Sequence, residues 1–339
     1  MLASTPATDR TATGRAARVL PAGPHTFTLR PGAPAVMGIV NTNPGSFSDT
    51  RHLASTAEQL ETAMAMVAAG AAIIDVGTDS GVTHGESIDL DVQIARAVPL
   101  VEALVAEGVP VSIDTPFAPV AEATLQAGAA MINDVSGLAD PRIAELCATH
   151  RAALVILHTR VEHKQEAFLD FEDVVADVEE LFVAAIARAV DLGLPREQIV
   201  LDPGIGYAKY PHDDVKVIRG YPRFDALGLS FLTGASRKYF TGVITGAEPP
   251  ERLPETLATV EAVRPHPGFV RVHDVAEVAR YLAVMETLDG LRAFPEYDTS
   301  VARLKWVAPG GTAASHTAPG GTAASHSAAG DTDTTADVS

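Results

Sequence analysis

Cysteine is nearly missing from this chain, with Cys147 alone among 339 residues. No internal disulfide can form, which excludes a stapled extracellular scaffold. Aromatic side chains are scarce at 5%, with a single tryptophan, so a core has to be built from aliphatic residues. Basic residues are in deficit: 25 Lys and Arg against 43 Asp and Glu give a formal charge of −18, which repels nucleic acid and anionic membranes as a whole. An anionic ligand therefore needs a local basic pocket. No apolar run reaches the length of a membrane span and no signal-peptide core opens the chain, so a cytosolic protein without nucleic-acid or membrane partners is expected. With 47% hydrophobic and 20% charged residues, the chain can bury a sizeable core, which excludes wholesale disorder.

Both ends differ in composition from the middle. Residues 1–30 are rich in Ala, Thr, Arg and Pro and lack apolar periodicity; they read as a flexible segment with at most a short edge hairpin around "HTFTLRPG". Residues 294–339 read as an extension. From Ala308 it repeats "APGGTAASH" at a period of ten residues and ends in "SAAGDTDTTADVS", a low-complexity tail. One imidazole per repeat, His316 and His326, is ordinarily inert in such a segment.

Between the ends, residues 31–293, strand-like runs alternate with helical patterns. "AVMGIV", "AAIIDV", "VPVSID", "AAMIND", "AALVIL", "QIVLD", "LSFLTG" and "GFVRVH" are short Val/Ile/Leu-rich runs of the kind buried on both faces. Helical faces fill the gaps, with Leu60, Ala63, Met64 and Val67 after the first run and Val275, Val278, Leu282 and Met285 after the last. Eight βα units in about 260 residues predict an α/β protein, a single-domain (β/α)8 TIM barrel. An open doubly wound sheet is the alternative, but no Walker loop and no full Gly-x-Gly-x-x-Gly follows the first strand.

In a barrel of this type the chemistry sits at the carboxyl ends of the strands. Those ends carry Asn41, Asp75, Asp114, Asn133 with Asp134, His158, Asp202, the run Ser236-Arg237-Lys238, and Arg271 with His273. Asp75 or Asp134 taken alone reads as a turn or helix-cap residue. As a set, carboxylates and amides opposite Lys238, Arg237, Arg271 and His273 suggest a ligand with a donor-rich ring and an anionic group. Cys147, inside the helical run "RIAELCATH", reads as a buried structural thiol.

The ordered segments "MGIVNTNPGSFSD", "SIDT", "INDVSG", "LDPGIG", "SRK" and "RVHDV" resemble the dihydropteroate synthase family of folate biosynthesis over roughly Ala35 to Gly290. One such match is weak; six in order at successive strand ends are specific. The resemblance implies replacement of diphosphate on 6-hydroxymethyl-7,8-dihydropterin diphosphate by the amine of 4-aminobenzoate. It implies that Asp202 grips the pterin, that His273 and Asn41 sit at the diphosphate with Asn41 near Mg2+, and that Ser236 helps neutralise the leaving group. It also implies a homodimer. Chemically, Asp114 and Asp202 offer acceptors to a guanidine-like ring edge, Asn133 offers an acceptor and a donor, and Lys238 can only donate. Arg271 can stack on the ring while pointing its fork at phosphate. Tyr207 and Ile205 are expected as apolar wall. Asp75 is expected at the ligand or holding a neighbouring loop.

The chain also departs from the family pattern. After the second strand it reads "GTDSGVTHGE", with Gly81 and Val82 where the family has threonine and arginine; His84 is a possible substitute. In the first loop Asn43 and Gly45 replace threonine and aspartate, while Ser46, Phe47, Ser48 and Asp49 remain. After the fifth strand His158 and Arg160 are kept and Thr159 stands at a usual methionine. The acceptor half is therefore the altered half. Two other functions stay open: a pterin-binding paralogue with little or no synthase activity, and a methyltetrahydrofolate-dependent methyltransferase. "SRK" and "RVHDV" argue against the last, since a methyl donor has no diphosphate to grip.

Overall fold

The first regular structure is an antiparallel hairpin, β1 (Arg18–Ala22) and β2 (His25–Leu29), with Leu20 opposite Phe27. Eight parallel strands follow: β3 (Ala35–Asn41), β4 (Ile73–Gly77), β5 (Val111–Asp114), β6 (Met131–Asp134), β7 (Ala153–Leu157), β8 (Ile199–Asp202), β9 (Ser230–Gly234) and β10 (Gly268–Val272). They pair in sequence order and β10 pairs back to β3, closing a barrel. Each of the eight predicted runs overlaps one of these strands. The computed structural model describes residues 15–42, 55–79, 88–163, 165 and 167–296. The chain divides into two compact units, Met1–Ala293 and Phe294–Ser339, and the barrel belongs to the first.

Among the described residues one α-helix follows each barrel strand, except that two follow β9. They are α1 (Thr56–Ala68), α2 (Leu90–Ala106), α3 (Ala118–Gln126), α4 (Arg142–His150), α5 (Val174–Asp191), α6 (Pro211–Asp225), α7 (Tyr239–Thr245), α8 (Leu253–Val263) and α9 (Val275–Leu288). Local signals start them. Ser55 and Glu58 close a capping box on α1, and the Asp173 carboxylate accepts from Val175 and Ala176 at the head of α5, which satisfies amides that have no partner within the helix. Ala63 on α1, and Val275, Val278 and Leu282 on α9, face the core as the helical spacing predicts. Cys147 is buried on α4, and burial pushes its thiol well up.

Strand alternation sorts the apolar residues into two layers. Ile74, Val111, Ile113, Ile132, Leu154, Leu201, Phe231 and Val270 pack outward against the helices. Met37, Ile73, Met131, Val155, Val200, Leu232 and Phe269 pack inside the barrel together with Leu20, Ala22 and Leu29 of the hairpin. The hairpin therefore stops the amino end of the barrel, with Phe27 edge-on to Phe269 at 5.2 Å. The hairpin expected around "HTFTLRPG" is present as β2 paired with β1, and it packs against the barrel interior rather than at a sheet edge. Arg15 and Arg18 fix the hairpin to the Asp225 carboxylate, a contact across more than 200 residues that no local pattern could reveal. The tail repeat with His316 and His326 lies outside the described residues.

Candidate active site

The same alternation that fills the barrel builds its polar mouth. Two residues beyond interior Ile73, Met131, Val200 and Phe269, the interior face continues with Asp75, Asn133, Asp202 and Arg271, and Asp114 ends β5 level with Asn133. Residues so spaced on a strand share a face. Short, largely buried strands thus deliver acids, an amide and a guanidinium to one rim.

Arg271 is the hub. Its Nε donates to Asp75 Oδ2 at 2.6 Å and its Nη2 to Asp114 Oδ2 at 2.8 Å. Asn133 Nδ2 donates to the same Asp75 oxygen at 3.3 Å. Asp75 has no exposed surface and braces Arg271 and Asn133 through its Oδ2, while its Oδ1 is buried without a partner among the described residues. The Asn133 side-chain oxygen is buried and has no donor among the described residues. Burial pushes the Asp114 carboxyl up to about 6 against the opposing pull of Arg271, and Asp75 and Asp202 raise it further. Asp202 is likewise raised by burial, with the Gly204 amide and Lys238 holding it down. Lys238 is lowered by burial, against Asp202, Asp214 and Asp114. These mutual effects place the acids and the lysine within one another's field.

The turn after β8 shows why an aspartate there needs glycines behind it. Asp202 accepts from the Gly204 amide at 2.8 Å. Gly204 has φ +68, and a β-carbon on it would lie 2.1 Å from the His158 carbonyl oxygen; only glycine fits. The loop is held from below by a buried residue that sequence reasoning missed, Lys209, whose Nζ donates to the carbonyls of Gly204 (2.8 Å), Tyr207 (3.1 Å) and His158 (3.3 Å). Burial lowers its pKa to about 8. Asp214, also missed, accepts from Gly206 N at 2.7 Å and is raised by burial to about 6. Neither carries a local signal beyond a polar residue beside an apolar turn. From above, Lys238 Nζ donates to the Ile205 carbonyl at 2.7 Å and lies 5.3 Å from the Tyr207 ring centroid. Tyr207 is thus a partner for a cation as well as wall, and Ile205 contributes its backbone.

On the anion side, Ser236 Oγ and His273 Nδ1 are 2.9 Å apart, and Ser236 accepts from the His273 amide at 3.3 Å. Burial lowers His273 to about 4, helped by the Arg271 and Arg237 charges, so its ring is neutral near pH 7. Arg237 does not join this group: its guanidinium is engaged by Asp274 at 2.7 and 3.2 Å. His158 is also turned away. Its ring is fully buried against Asp177 at 2.7 Å, which Arg160 joins, and burial lowers it to about 3. Asp134 behaves as the plain turn residue its sequence context suggests, accepting from Ser136 and Leu138. Asn41 ends β3 beside Gly77, where a β-carbon would lie 2.3 Å from the Asn41 side-chain oxygen. The absent side chain at Gly77 leaves the amide its place. Asn43, Gly45, Ser46, Phe47, Ser48, Asp49, Gly81, Val82 and His84 lie outside the described residues.

The family pattern described as "Pterin binding enzyme" matches residues 37–273. The dihydropteroate synthase of Synechocystis is 38% identical over 258 residues, covering 75% of this chain and 89% of the relative. That of Bacillus subtilis is 37% identical over 256 residues, covering 75% and 88%. The structure of Xanthomonas albilineans dihydropteroate synthase with 4-aminobenzoic acid superposes with a TM-score of 0.74 at 32% identity, covering 82% of this chain and 100% of the other. The same enzyme in complex with 7,8-dihydropteroate gives 0.69 at 31%, covering 82% and 99%. With matches of this extent across the whole barrel, the chain belongs to the pterin-binding enzyme family.

Proposed function

We infer that this chain is a dihydropteroate synthase, a transferase that joins 6-hydroxymethyl-7,8-dihydropterin diphosphate to 4-aminobenzoate or another arylamine and releases diphosphate. The observation that carries this reading is the convergence of acceptors from β5, β6 and β8, namely Asp114, Asn133 and Asp202, on the rim that also holds Lys238 and Arg271. Of these the Asn133 oxygen is buried without a donor among the described residues, which is costly, and the N–H edge of a pterin supplies one. Lys238 then donates to a ring acceptor, Arg271 stacks on the ring, and Tyr207 closes the side.

In the reaction the methylene C–O bond breaks with its electron pair leaving on diphosphate, the amine nitrogen forms the new C–N bond, and the nitrogen loses a proton. The chain need supply no nucleophile. Its part is to fix the ring and to place donors where negative charge develops, the Ser236 hydroxyl, the neutral His273 ring and Arg271, in a water-poor site where such preorganisation counts most. Among the described residues no group of three or more His, Cys, Asp or Glu could hold a metal. Mg2+ characteristically keeps its waters and takes one or two protein oxygens plus phosphate, and the amide oxygen of Asn41 suits that role. When bound, the ion would neutralise charge on the leaving diphosphate.

We also propose residues 31–293 as the catalytic unit with residues 294–339 as an extension, work in the cytoplasm, and a homodimer formed through the exposed apolar side of α9 at Val284 and Leu288. No helix among the described residues is long and apolar enough to cross a membrane. Supplying the purified protein with pterin diphosphate, Mg2+ and 4-aminobenzoate tests the assignment. Release of diphosphate together with 7,8-dihydropteroate is expected. Tight binding without product would instead favour a pterin-binding paralogue, the reading that Gly81 and Val82 support.

A further inference from the structure

Beside the described site lies a group of rings that the reaction does not use. Phe168, from the loop between β7 and α5, stacks on Tyr210 at the head of α6 with centroids 5.1 Å apart and planes 20° from parallel. Tyr239, the first residue of α7, approaches Phe168 at 6.4 Å and 41°. His212 stacks with Tyr210 at 5.6 Å and 14°. Phe168 and Tyr239 are 55% and 59% exposed. Single exposed aromatics are ordinary. Rings from three separate rim loops gathered into one stack, in a chain with only 5% aromatic residues, are not scatter.

The stack is tied to the site through its backbone. Leu169, next to Phe168, donates its amide to the Ala208 carbonyl at 3.1 Å and forms a parallel bridge with Lys209. Buried Lys209 in turn pins the Gly204–Tyr207 turn. Tyr239 directly follows Lys238, whose ammonium reaches the Ile205 carbonyl and the Tyr207 ring. One wall therefore runs from Asp202 through Tyr207 and Lys238 out to the aromatic rim. An aryl ring leaving the reacting centre along that wall meets π-faces, which favour offset-stacked or edge-on planar partners.

Building on the synthase reading, we propose that Phe168 and Tyr239, with Tyr210 stacked behind Phe168, form an outer acceptor subsite that binds a second planar group, so that the enzyme favours arylamines extended beyond the single ring of 4-aminobenzoate. The test compares 4-aminobenzoate with 4-amino-N-phenylbenzamide, a two-ring arylamine. On wild-type protein the two-ring amine should have a KM about tenfold lower, equivalent to about 1.4 kcal/mol. Phe168→Ala and Tyr239→Ala should each bring the ratio toward one without changing the KM for the pterin diphosphate, and Tyr239→Phe should keep it. Both changed side chains are more than half exposed, so the fold is retained. Equal KM values on wild-type protein, or a ratio that survives both alanine changes, would overturn the subsite. Equilibrium dialysis of the two-ring amine against pterin-loaded protein reads the same preference without turnover. Binding that depends on Phe168 and Tyr239 without product would remove the synthase reading and leave the subsite standing; turnover without that dependence would do the reverse.

Discussion

Replacing Asp114 by Asn should weaken pterin binding and at the same time stabilise the fold at alkaline pH. The carboxyl is raised from 3.8 to about 6. At about 1.4 kcal/mol per pKa unit, its ionised form costs the folded state on the order of 3 kcal/mol, an upper value because the side chain keeps 23% of its surface. The sign follows from the upward shift: the cost is absent below the unfolded pKa, grows as pH rises toward 6, and is complete above it. Asn removes the charge while Arg271 keeps Asp75 at 2.6 Å, so no cation is orphaned. That cost already includes the pull of Arg271; discounted for the exposed part of the side chain, it leaves about 1–2 kcal/mol at pH 8, or roughly 2–8 °C in Tm for a barrel of this size. The difference from wild type should shrink toward zero at pH 4. Pterin affinity should fall about 10–100-fold, the worth of a hydrogen bond to a charged acceptor. Thermal melts at pH 4 and 8 and calorimetry with 6-hydroxymethylpterin measure both. A variant that melts lower at pH 8, or binds pterin as tightly as wild type, refutes the reasoning.

Three further outcomes follow from the same geometry. Lys209→Met strips three carbonyls of their donor and should cost about 2–4 kcal/mol by denaturant unfolding while weakening pterin binding; unchanged values for both would show that the buttress is idle. Asp225→Asn should loosen the amino-terminal hairpin, because Arg15, Arg18 and His266 hold that carboxyl well below the usual range. Its stabilisation is present above the unfolded pKa near 4 and disappears as pH falls below it, so hydrogen exchange in β1 and β2 should rise in the variant at pH 7 and converge with wild type in acid, with pterin affinity unaffected. Gly77→Ala drives a methyl into the Asn41 amide and should raise the Mg2+ concentration giving half-maximal diphosphate release several-fold with little change in pterin affinity; an unaltered Mg2+ response would separate Asn41 from the metal.

Much of this is legible in the chain because the barrel is written in short-range physics. Strands buried on both faces must be apolar throughout, and a polar residue closing each run stands out, which is why Asp114, Asn133, Asp202 and Arg271 can be picked from the sequence. Residues whose job is to hold others give no such sign. Lys209 reads as one lysine after a glycine-rich turn, and only folding buries its ammonium under three carbonyls. Arg237 looks like a site residue and is held by Asp274, and Asp75 braces Arg271 and Asn133; which neighbour reaches such a group first is not visible in the chain. The aromatic rim joins Phe168, Tyr210 and Tyr239 over some 70 residues of sequence, a distance that no periodicity spans.

By itself, then, the sequence determined the architecture and the identity of the mouth, because strand alternation and chain order dictate which residues can face the barrel axis and at which end. Tertiary structure alone decided how those residues divide their contacts: Arg271 shared between two acids, Arg237 diverted to Asp274, the hairpin seated under the barrel. Those outcomes depend on distances between groups far apart in the chain and on the loss of water around them, and neither is encoded in any local stretch.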